Sequence, residues 1–180
     1  GGSDIVIAKL DALSGELDTG FGTGDGIVQI NASNSNAADR NEYATNLVLD
    51  QAGNIFVTGY TYLGDLGGTN AGGADGIIIK LNANSGVLDN VFGDGDGIGN
   101  DNDGIGNDND GIVQLNSSNV SDASDDDWLK DLVLDSSGNC YAAGQSGGDI
   151  GGVNGGFGED VFVVKLNCNS GVVDTSFGDG

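Results

Sequence analysis

Asp4-Ile-Val-Ile-Ala-Lys-Leu10 decides the fold, because the chain repeats this stretch as Asp75-Gly-Ile-Ile-Ile-Lys-Leu81 and again as Asp160-Val-Phe-Val-Val-Lys-Leu166. A Ser-Gly turn and an Asp-x-x-Phe-Gly box follow each copy at the same distance. The turns are Ser14-Gly15, Ser85-Gly86 and Ser170-Gly171, and the boxes span residues 18–22, 89–93 and 174–178. One unit of a repeat cannot bury its apolar face without neighbours. The repeat therefore predicts a series of similar packed units.

The spacing of the copies exposes an insertion. The step from Asp4 to Asp75 is 71 residues, whereas the step from Asp75 to Asp160 is 85. Two tandem heptads account for the difference: Gly97-Ile-Gly-Asn-Asp-Asn-Asp103 is followed by the same seven residue types at 104–110. Without them, residues 26–31 align with 111–116, and the rest of the chain falls into register. The unit is therefore about 71 residues, with one insertion in one loop.

Composition predicts strands rather than helices. The chain has 35 glycines and no proline, and short runs of Val, Ile and Leu are separated by Gly, Asn, Asp and Ser. Such runs between turn residues are typical of strands, and no window shows the apolar periodicity of a helix. No window is apolar enough over a sufficient length to span a bilayer, and no signal peptide is evident. The predicted fold class is all-β.

Each unit is predicted to contain four strands, at about 26–31, 43–50, 54–61 and 75–82 in the first complete copy. A Gly-Asn connection between the second and third strands, Gln51-Ala-Gly-Asn54, is typical of a tight hairpin. The fourth strand is apolar on successive residues, so we expect neighbouring sheets to cover both of its faces. These features predict antiparallel four-stranded blades of the β-propeller type, two of them complete and flanked by partial blades.

The repeat divides the chain into five segments. Residues 1–25 hold the last strand of a preceding blade and a linker, and 26–93 are blade 1 with its linker. Residues 94–110 form the inserted loop, 111–167 are blade 2, and 168–180 are a linker toward a following blade. Closed propellers have roughly 4–8 blades. Two complete blades therefore predict a piece of a longer array, or a subunit whose repeats continue through its neighbours.

Two parts of the chain carry a family resemblance. Leu-Val-Leu-Asp-Ser-Ser-Gly-Asn-Cys-Tyr-Ala-Ala-Gly at 132–144, with 158–167, resembles the bacterial β-propeller repeats of secreted and surface proteins. Gly-Val-Val-Asp-Thr-Ser-Phe-Gly at 171–178 is similar to the Leu-Asp-x-Ser-Phe-Gly box of the related delta-60 repeats. The resemblance covers almost the whole chain. It implies a bacterial scaffold that is extracellular or on the cell surface, often within very long multi-repeat polypeptides, and implies little about chemistry.

The inserted loop is a candidate calcium site. Its carboxylates stand at alternate positions, with Gly for a sharp turn and an apolar residue after it, and Ca²⁺ requires roughly six to eight oxygen ligands at once. The phrase Asp-Asn-Asp-Gly-Ile-Gly resembles the thrombospondin type 3 repeats, which bind Ca²⁺. The alternative is a duplicated loop extension whose acidic side chains are solvated. The predicted ligands are Asp94, Asp96, Asn100, Asp101, Asp103, Asn107, Asp108 and Asp110.

Net charge limits the partners. The chain carries 28 acidic and 5 basic residues, which gives a net charge of −23. Such a field repels phosphate backbones and anionic membrane surfaces, so we expect neither nucleic acid as a partner nor insertion into a membrane. Calcium ions, neighbouring blades and copies of the chain itself are the expected partners, with a glycan or protein ligand as a further candidate.

Several recurring residues are predicted to be structural. The carboxylates of the boxes are expected to accept backbone N–H bonds, the phenylalanines to pack between blades, and the strand lysines to hold one structural position. These residues are Asp18, Asp89 and Asp174; Phe21, Phe92 and Phe177; and Lys9, Lys80 and Lys165. We interpret Cys140 as a buried hydrophobic residue and Cys168 as a loop thiol, and a disulfide between them is the alternative. Trp128 aligns with Tyr43, and a shared aromatic at a strand start is expected in the core.

Two functions from different classes remain. There is no His and a single Arg, and the abundance of Asp makes any pair of carboxylates uninformative, so no enzyme is expected. The favoured hypothesis is a non-catalytic extracellular structural repeat protein, part of a bacterial surface or filament-like assembly, stabilised by calcium at the acidic loop. The alternative is a β-propeller binding module that presents loops to a glycan or protein ligand, for which Tyr60 and Tyr62 could form a glycan-stacking platform.

Overall fold

The computed structural model describes residues 2–31, 40–66, 70, 73–93, 110–116, 125–150 and 158–178. These residues contain nine β-strands and no helix. The strands are β1 (Ile5–Ala8), β2 (Ile27–Ile30), β3 (Asn41–Leu49), β4 (Ile55–Tyr62), β5 (Ala74–Leu81), β6 (Ile112–Leu115), β7 (Asp127–Leu134), β8 (Asn139–Ser146) and β9 (Asp160–Asn167). The all-β prediction is confirmed, and every predicted strand position holds a strand. This part of the chain contains no helix that could cross a membrane.

All strand pairs are antiparallel and form three sheets. Sheet 1 is β1-β2, sheet 2 is β3-β4-β5-β6, and sheet 3 is β7-β8-β9. The predicted grouping of strands is wrong in one respect. The strand at 26–31 was assigned to the unit of β3, β4 and β5, but it pairs with β1, and β6 pairs with β5 in the same way. The predicted segments 26–93 and 111–167 therefore each span parts of two sheets.

The connection after β1 and β5 explains this pairing. Each of these strands is followed by the Ser-Gly turn and the box, which fold back so that the next apolar strand returns antiparallel to it. Lys9 donates its backbone N–H to the carbonyl of Gly26 at 3.0 Å, and Lys80 donates to Gly111 at 2.9 Å. Sheets 1 and 2 are thus each extended by the first strand of the following repeat.

The return loops of the two copies are closed by the same hydrogen bond despite their different lengths. Gly26 donates its N–H to the carbonyl of Phe21 at 3.0 Å, and Gly111 donates to the carbonyl of Phe92 at 2.9 Å. Each return loop thus begins and ends at equivalent residues, whether or not the heptads are present.

The three sheets stack in chain order. Ile77 and Ile79 of β5 lie in one apolar cluster with residues of sheet 1, whereas Ile78 lies in a second cluster with residues of sheet 3. All eight residues of β5 are buried, which confirms the expectation that both faces of this strand are covered. We call the side of a sheet toward the next sheet its forward face, and the opposite side its backward face.

The predicted hairpins are confirmed and are capped by aspartates. Asp50 accepts from the backbone N–H of Asn54 at 2.7 Å and from its side-chain amide at 2.8 Å, and Gly53 adopts φ 87°, which an L side chain rarely adopts. Asp135 caps the equivalent hairpin of sheet 3 through Asn139. Hydrogen bonds from the Asn139 side chain and then its backbone lower the pKa of Asp135 to about 2.

Candidate functional site

The junction between successive repeats is the feature that recurs most completely. The first two boxes each touch the Ser-Gly turn of the following repeat: Gly22 donates its N–H to the carbonyl of Ser85 at 2.9 Å, and Gly93 donates to that of Ser170 at 3.1 Å. The turn glycine must be small, since a Cβ at Gly171 would lie 2.7 Å from Val113 Cγ2 and 2.8 Å from the nitrogen of Gly93. The sequence showed that turn and box recur, but not that they meet across repeats.

A phenylalanine anchors each junction. Phe21 and Phe92 are fully buried, in the cluster between sheets 1 and 2 and in the cluster between sheets 2 and 3 respectively. Phe92 packs edge-on against Phe56, with ring centroids 5.7 Å apart. The prediction is confirmed for these two residues, whereas Phe177 in the third box is 43% exposed. Phe177 lies beside Tyr141 on sheet 3, and no described residue of a further sheet covers it.

An ion pair ties every box to its strand. The strand lysine Nζ lies 2.9, 2.8 and 2.7 Å from the carboxylate of the box; the pairs are Lys9–Asp18, Lys80–Asp89 and Lys165–Asp174. Lys80, in the middle sheet, is almost fully buried, and its ammonium also lies 5.5 Å from the Phe56 ring centroid. A lysine that loses its water needs such a partner. The prediction of a structural lysine position is confirmed.

The carboxylates of the boxes also accept backbone N–H bonds, as predicted. The donors are Gly20 at 2.9 Å for Asp18, Val91 at 3.2 Å for Asp89, and Ser176 at 3.0 Å for Asp174.

These contacts change the pKa of each carboxyl. The hydrogen bond from Lys165, followed by those from Ser176, lowers the pKa of Asp174 to about 2. Burial is the largest single influence on Asp89 and raises its pKa, but hydrogen bonds from Lys80 and Val91 outweigh it, so that the pKa is lowered. Both groups are therefore ionised near neutral pH and serve as acceptors rather than proton donors.

The favoured interpretation of the cysteines is wrong. Cys140 and Cys168 are joined by a disulfide, with Cα atoms 5.3 Å apart. The pairing of β8 with β9 explains this, because Cys140 lies opposite Leu166 and Cys168 follows two residues later, directly after the end of β9. The signal in the sequence was that both cysteines replace residues at neighbouring strand ends of one repeat. The bond links the start of β8 to the residue after β9.

The calcium prediction falls mostly outside the described residues. Seven of the eight proposed ligands lie there: Asp94, Asp96, Asn100, Asp101, Asp103, Asn107 and Asp108. Asp110 is described, and its Oδ1 accepts the backbone N–H of Ile112 at 2.8 Å, as Asp25 does from Ile27 at 3.1 Å in the copy without the insertion. Within the described ranges, no group of three or more acidic or cysteine side chains could hold a metal.

Aromatic side chains cluster where sheets 2 and 3 meet. The rings of Tyr43 and Tyr60 stack with centroids 4.8 Å apart, and the Lys130 ammonium lies 5.9 Å from Tyr60 and 5.3 Å from Trp128. We call these four residues the aromatic cluster. The expectation that Trp128 and Tyr43 lie in the core is wrong for Tyr43, which is 38% exposed, and Trp128 is only partly buried. The predicted platform differs too, because Tyr60 stacks on Tyr43 and not on Tyr62.

A shallow groove runs between the two Gly-Asn hairpins. It has a volume of about 360 Å³ and is lined by Leu49, Asp50, Leu134, Asp135 and neighbouring turn residues. Both carboxylates already accept hydrogen bonds from the asparagine of their own hairpin. The two aspartates of the groove therefore stabilise their hairpins, and we do not assign them to ligand binding.

Comparison with known proteins gives no family assignment: the sequence matches no protein-family model and no curated protein.

Proposed function

We propose that this chain is a non-catalytic structural repeat protein whose sheets act as propeller-type blades in an extracellular assembly. The observation that carries the proposal is that one junction occurs twice with the same parts, namely a buried phenylalanine, a glycine-to-serine hydrogen bond and a lysine–aspartate pair. Residues that recur at equivalent places between successive sheets serve the stacking of repeats. The carboxylates of these junctions are occupied by structural hydrogen bonds.

Two further observations support the blade and the compartment. Sheet 2 has four antiparallel strands and is covered on both faces, as a blade within a propeller is. Disulfides persist in oxidising surroundings, so the Cys140–Cys168 bond favours a secreted or surface location. The resemblance to bacterial propeller repeats points the same way.

Electron microscopy of the native material tests the structural role. Continuous stacks of subunits are expected, because the chain devotes its recurring residues to contacts between repeats. Closed discs with free loop faces would instead favour the binding module. Free thiols at both Cys140 and Cys168 in protein isolated under alkylating conditions would contradict the extracellular location.

Calcium is proposed to order the inserted loop. The support is the alternation of Asp, Asn and Gly over 94–110, in a chain with a net charge of −23. Bound ions would offset the repulsion among these carboxylates, and the binding free energy would appear as stability. Calorimetric titration with millimolar Ca²⁺ is expected to give heat, and the melting temperature to rise. A variant that lacks residues 97–110 is the control, and absence of heat with the full chain refutes the calcium site.

A glycan-binding module is the second candidate, and the aromatic cluster is the observation that favours it. Exposed aromatic faces stack on sugar rings, and Tyr43 presents such a face beside Tyr60. Trp128 is the only tryptophan, so its fluorescence reports on this cluster directly. Titration with neutral oligosaccharides is expected to change the emission of the wild type and of Tyr62→Ala, but not that of Tyr43→Ala. If no oligosaccharide changes the emission of the wild type, the glycan-binding candidate is refuted.

A further inference from the structure

Polar side chains form a row across the four strands of sheet 2. Glu42 lies opposite Thr61 in the pairing of β3 with β4, and Thr61 lies opposite Asp75 in the pairing of β4 with β5. Asn116 stands one step beyond the last residue pair of β5 and β6, opposite Asp75. Gln114, two residues before Asn116, donates its side-chain amide to Asp75 Oδ2 at 2.5 Å. We call Glu42, Thr61, Asp75, Gln114 and Asn116 the polar row.

The polar row lies on the backward face of sheet 2, toward sheet 1. Asp75 stands two residues before Ile77, and Gln114 stands two residues after Ile112; both isoleucines belong to the apolar cluster between sheets 1 and 2. Residues two apart on a strand share a face, so the row faces the same way as this cluster. Its members are 0–4% exposed and make up five of the nine buried polar side chains in the described part of the chain. Buried polar groups cost free energy unless each has a partner, so this concentration requires a physical account.

One atom of the polar row indicates a ligand. Asn116 is 4% exposed, and its Oδ1 accepts no hydrogen bond from any residue that the structure describes. The hydroxyl of Thr61, by contrast, donates to the carbonyl of Gly64 at 3.0 Å. A buried acceptor without a donor is costly. Because Asn116 lies opposite the carboxylate of Asp75, a positively charged partner would satisfy both side chains at once.

The distribution of basic residues also favours a cation. The chain has five of them, and the three strand lysines pair with the carboxylates of the boxes. Lys130 lies over Tyr60 and Trp128, which leaves Arg40, two residues before Glu42, as the basic residue nearest to the row in sequence. The row itself holds two carboxylates. A water molecule would satisfy the oxygens but leave their negative charge unchanged, whereas a divalent cation would offset it.

We propose that the polar row binds a calcium ion through the carboxylates of Asp75 and Glu42 and the amide oxygens of Gln114 and Asn116. Ca²⁺ takes roughly six to eight oxygen ligands in flexible geometry, and carboxylates, amide carbonyls and water all serve. Mg²⁺ is smaller, demands an octahedral set and keeps several of its waters, so it fits a buried row of protein oxygens less well. This site is separate from the inserted loop and does not depend on it.

The ion would join two successive repeats. Asp75 belongs to the strand of one repeat, whereas Gln114 and Asn116 belong to the first strand of the next. The same residue types stand in the preceding copy as Asp4, Gln29 and Asn31, where Gln29 also donates to Asp4. Asn31 is exposed, so it lacks the burial that makes Asn116 a candidate ligand and supplies a matched control.

Calcium binding by the variant that lacks residues 97–110 tests the proposal apart from the inserted loop. The full chain and this variant are refolded from urea in EGTA, dialysed against Ca²⁺, and assayed for bound calcium by atomic absorption and for melting temperature. The variant is expected to retain one ion per chain and to melt at a higher temperature in Ca²⁺ than in EGTA. If it retains no calcium while the full chain binds, the buried site is overturned and the loop site stands. Equal calcium in both proteins supports the buried site and contradicts the loop.

Asn116→Leu in the same loop-deleted protein separates an ion ligand from a structural side chain. In EGTA it is expected to be at least as stable as its parent, because the substitution removes a buried oxygen that lacks a donor. In Ca²⁺ it is expected to lose both the bound ion and the rise in melting temperature, whereas Asn31→Leu keeps both. If circular dichroism shows Asn116→Leu to be unfolded, Asp75→Asn replaces it, with the same expected loss of calcium. A folded variant that binds calcium as its parent does overturns the proposal.

Discussion

Replacing Phe92 by alanine measures what a covered junction contributes to stability. Phe92 is fully buried between sheets 2 and 3 and touches Phe56 edge-on. Removing a buried phenylalanine costs about 3–5 kcal/mol, since the lost transfer free energy and the cavity left behind add together. Urea denaturation of the dilute protein, followed by circular dichroism, is expected to show a loss of this size in the free energy of unfolding.

Phe177→Ala is the matched control. It makes the same change at the equivalent position of the third box, where no described sheet covers the side chain. The side chain is 43% exposed, so only a little over half of the transfer free energy of a phenylalanine is at stake, and no closed cavity forms. The expected cost is about 1–2 kcal/mol. Equal losses for the two variants would refute the claim that the covering sheet, rather than the box itself, makes phenylalanine important.

Three further predictions concern the turns, the disulfide and the acid limit of stability. Gly171→Ala is expected to cost about 1–3 kcal/mol more in urea unfolding than Gly15→Ala, since both force a positive φ on alanine but only Gly171 lies against its neighbours; equal costs would remove the close approach as a cause. The disulfide spans 28 residues, so Cys140→Ser should lower the unfolding free energy by about 3.5 kcal/mol, and a loss near zero would contradict its structural role. The pKa of Asp174 is lowered from 3.8 to about 2, so its contribution to stability is present above the ordinary pKa and is lost as pH falls toward 2. Asp174→Asn should therefore lose less stability than the wild type over that range, and parallel acid curves would contradict the lowered pKa.

The strands and most of their partners were predictable from the sequence, whereas the partner of the first strand of each predicted unit was not. A run such as Ile77 to Ile79 predicts a strand with two buried faces whatever its neighbours are. Successive side chains of a strand point to opposite faces, so consecutive apolar residues make both faces apolar. The pairing of β2 with β1 depends on a turn and a box folding back through hydrogen bonds between main-chain atoms, which leave little trace in side-chain chemistry.

For the candidate site, too, local contacts were predictable and contacts between residues distant in the sequence were not. The box carboxylates were recognised as hydrogen-bond acceptors, because a short acidic side chain before a turn is a local signal. Their ion pairs were not recognised, since Lys80 and Asp89 are nine residues apart and meet only when the chain reverses. The disulfide was only the alternative interpretation for a similar reason, because Cys140 and Cys168 are 28 residues apart and come together only when β8 pairs with β9.

The hydrogen bond that closes the loop after each box makes the inserted segment an engineering site. In one copy, Phe21 and Gly26 enclose four residues, and in the other, Phe92 and Gly111 enclose eighteen, yet the same bond forms. Loop-closure entropy grows only with the logarithm of length, so the added heptads cost about 1 kcal/mol. A peptide tag, a metal-binding loop or additional heptads could therefore be grafted between these two residues while the sheets on either side keep their register.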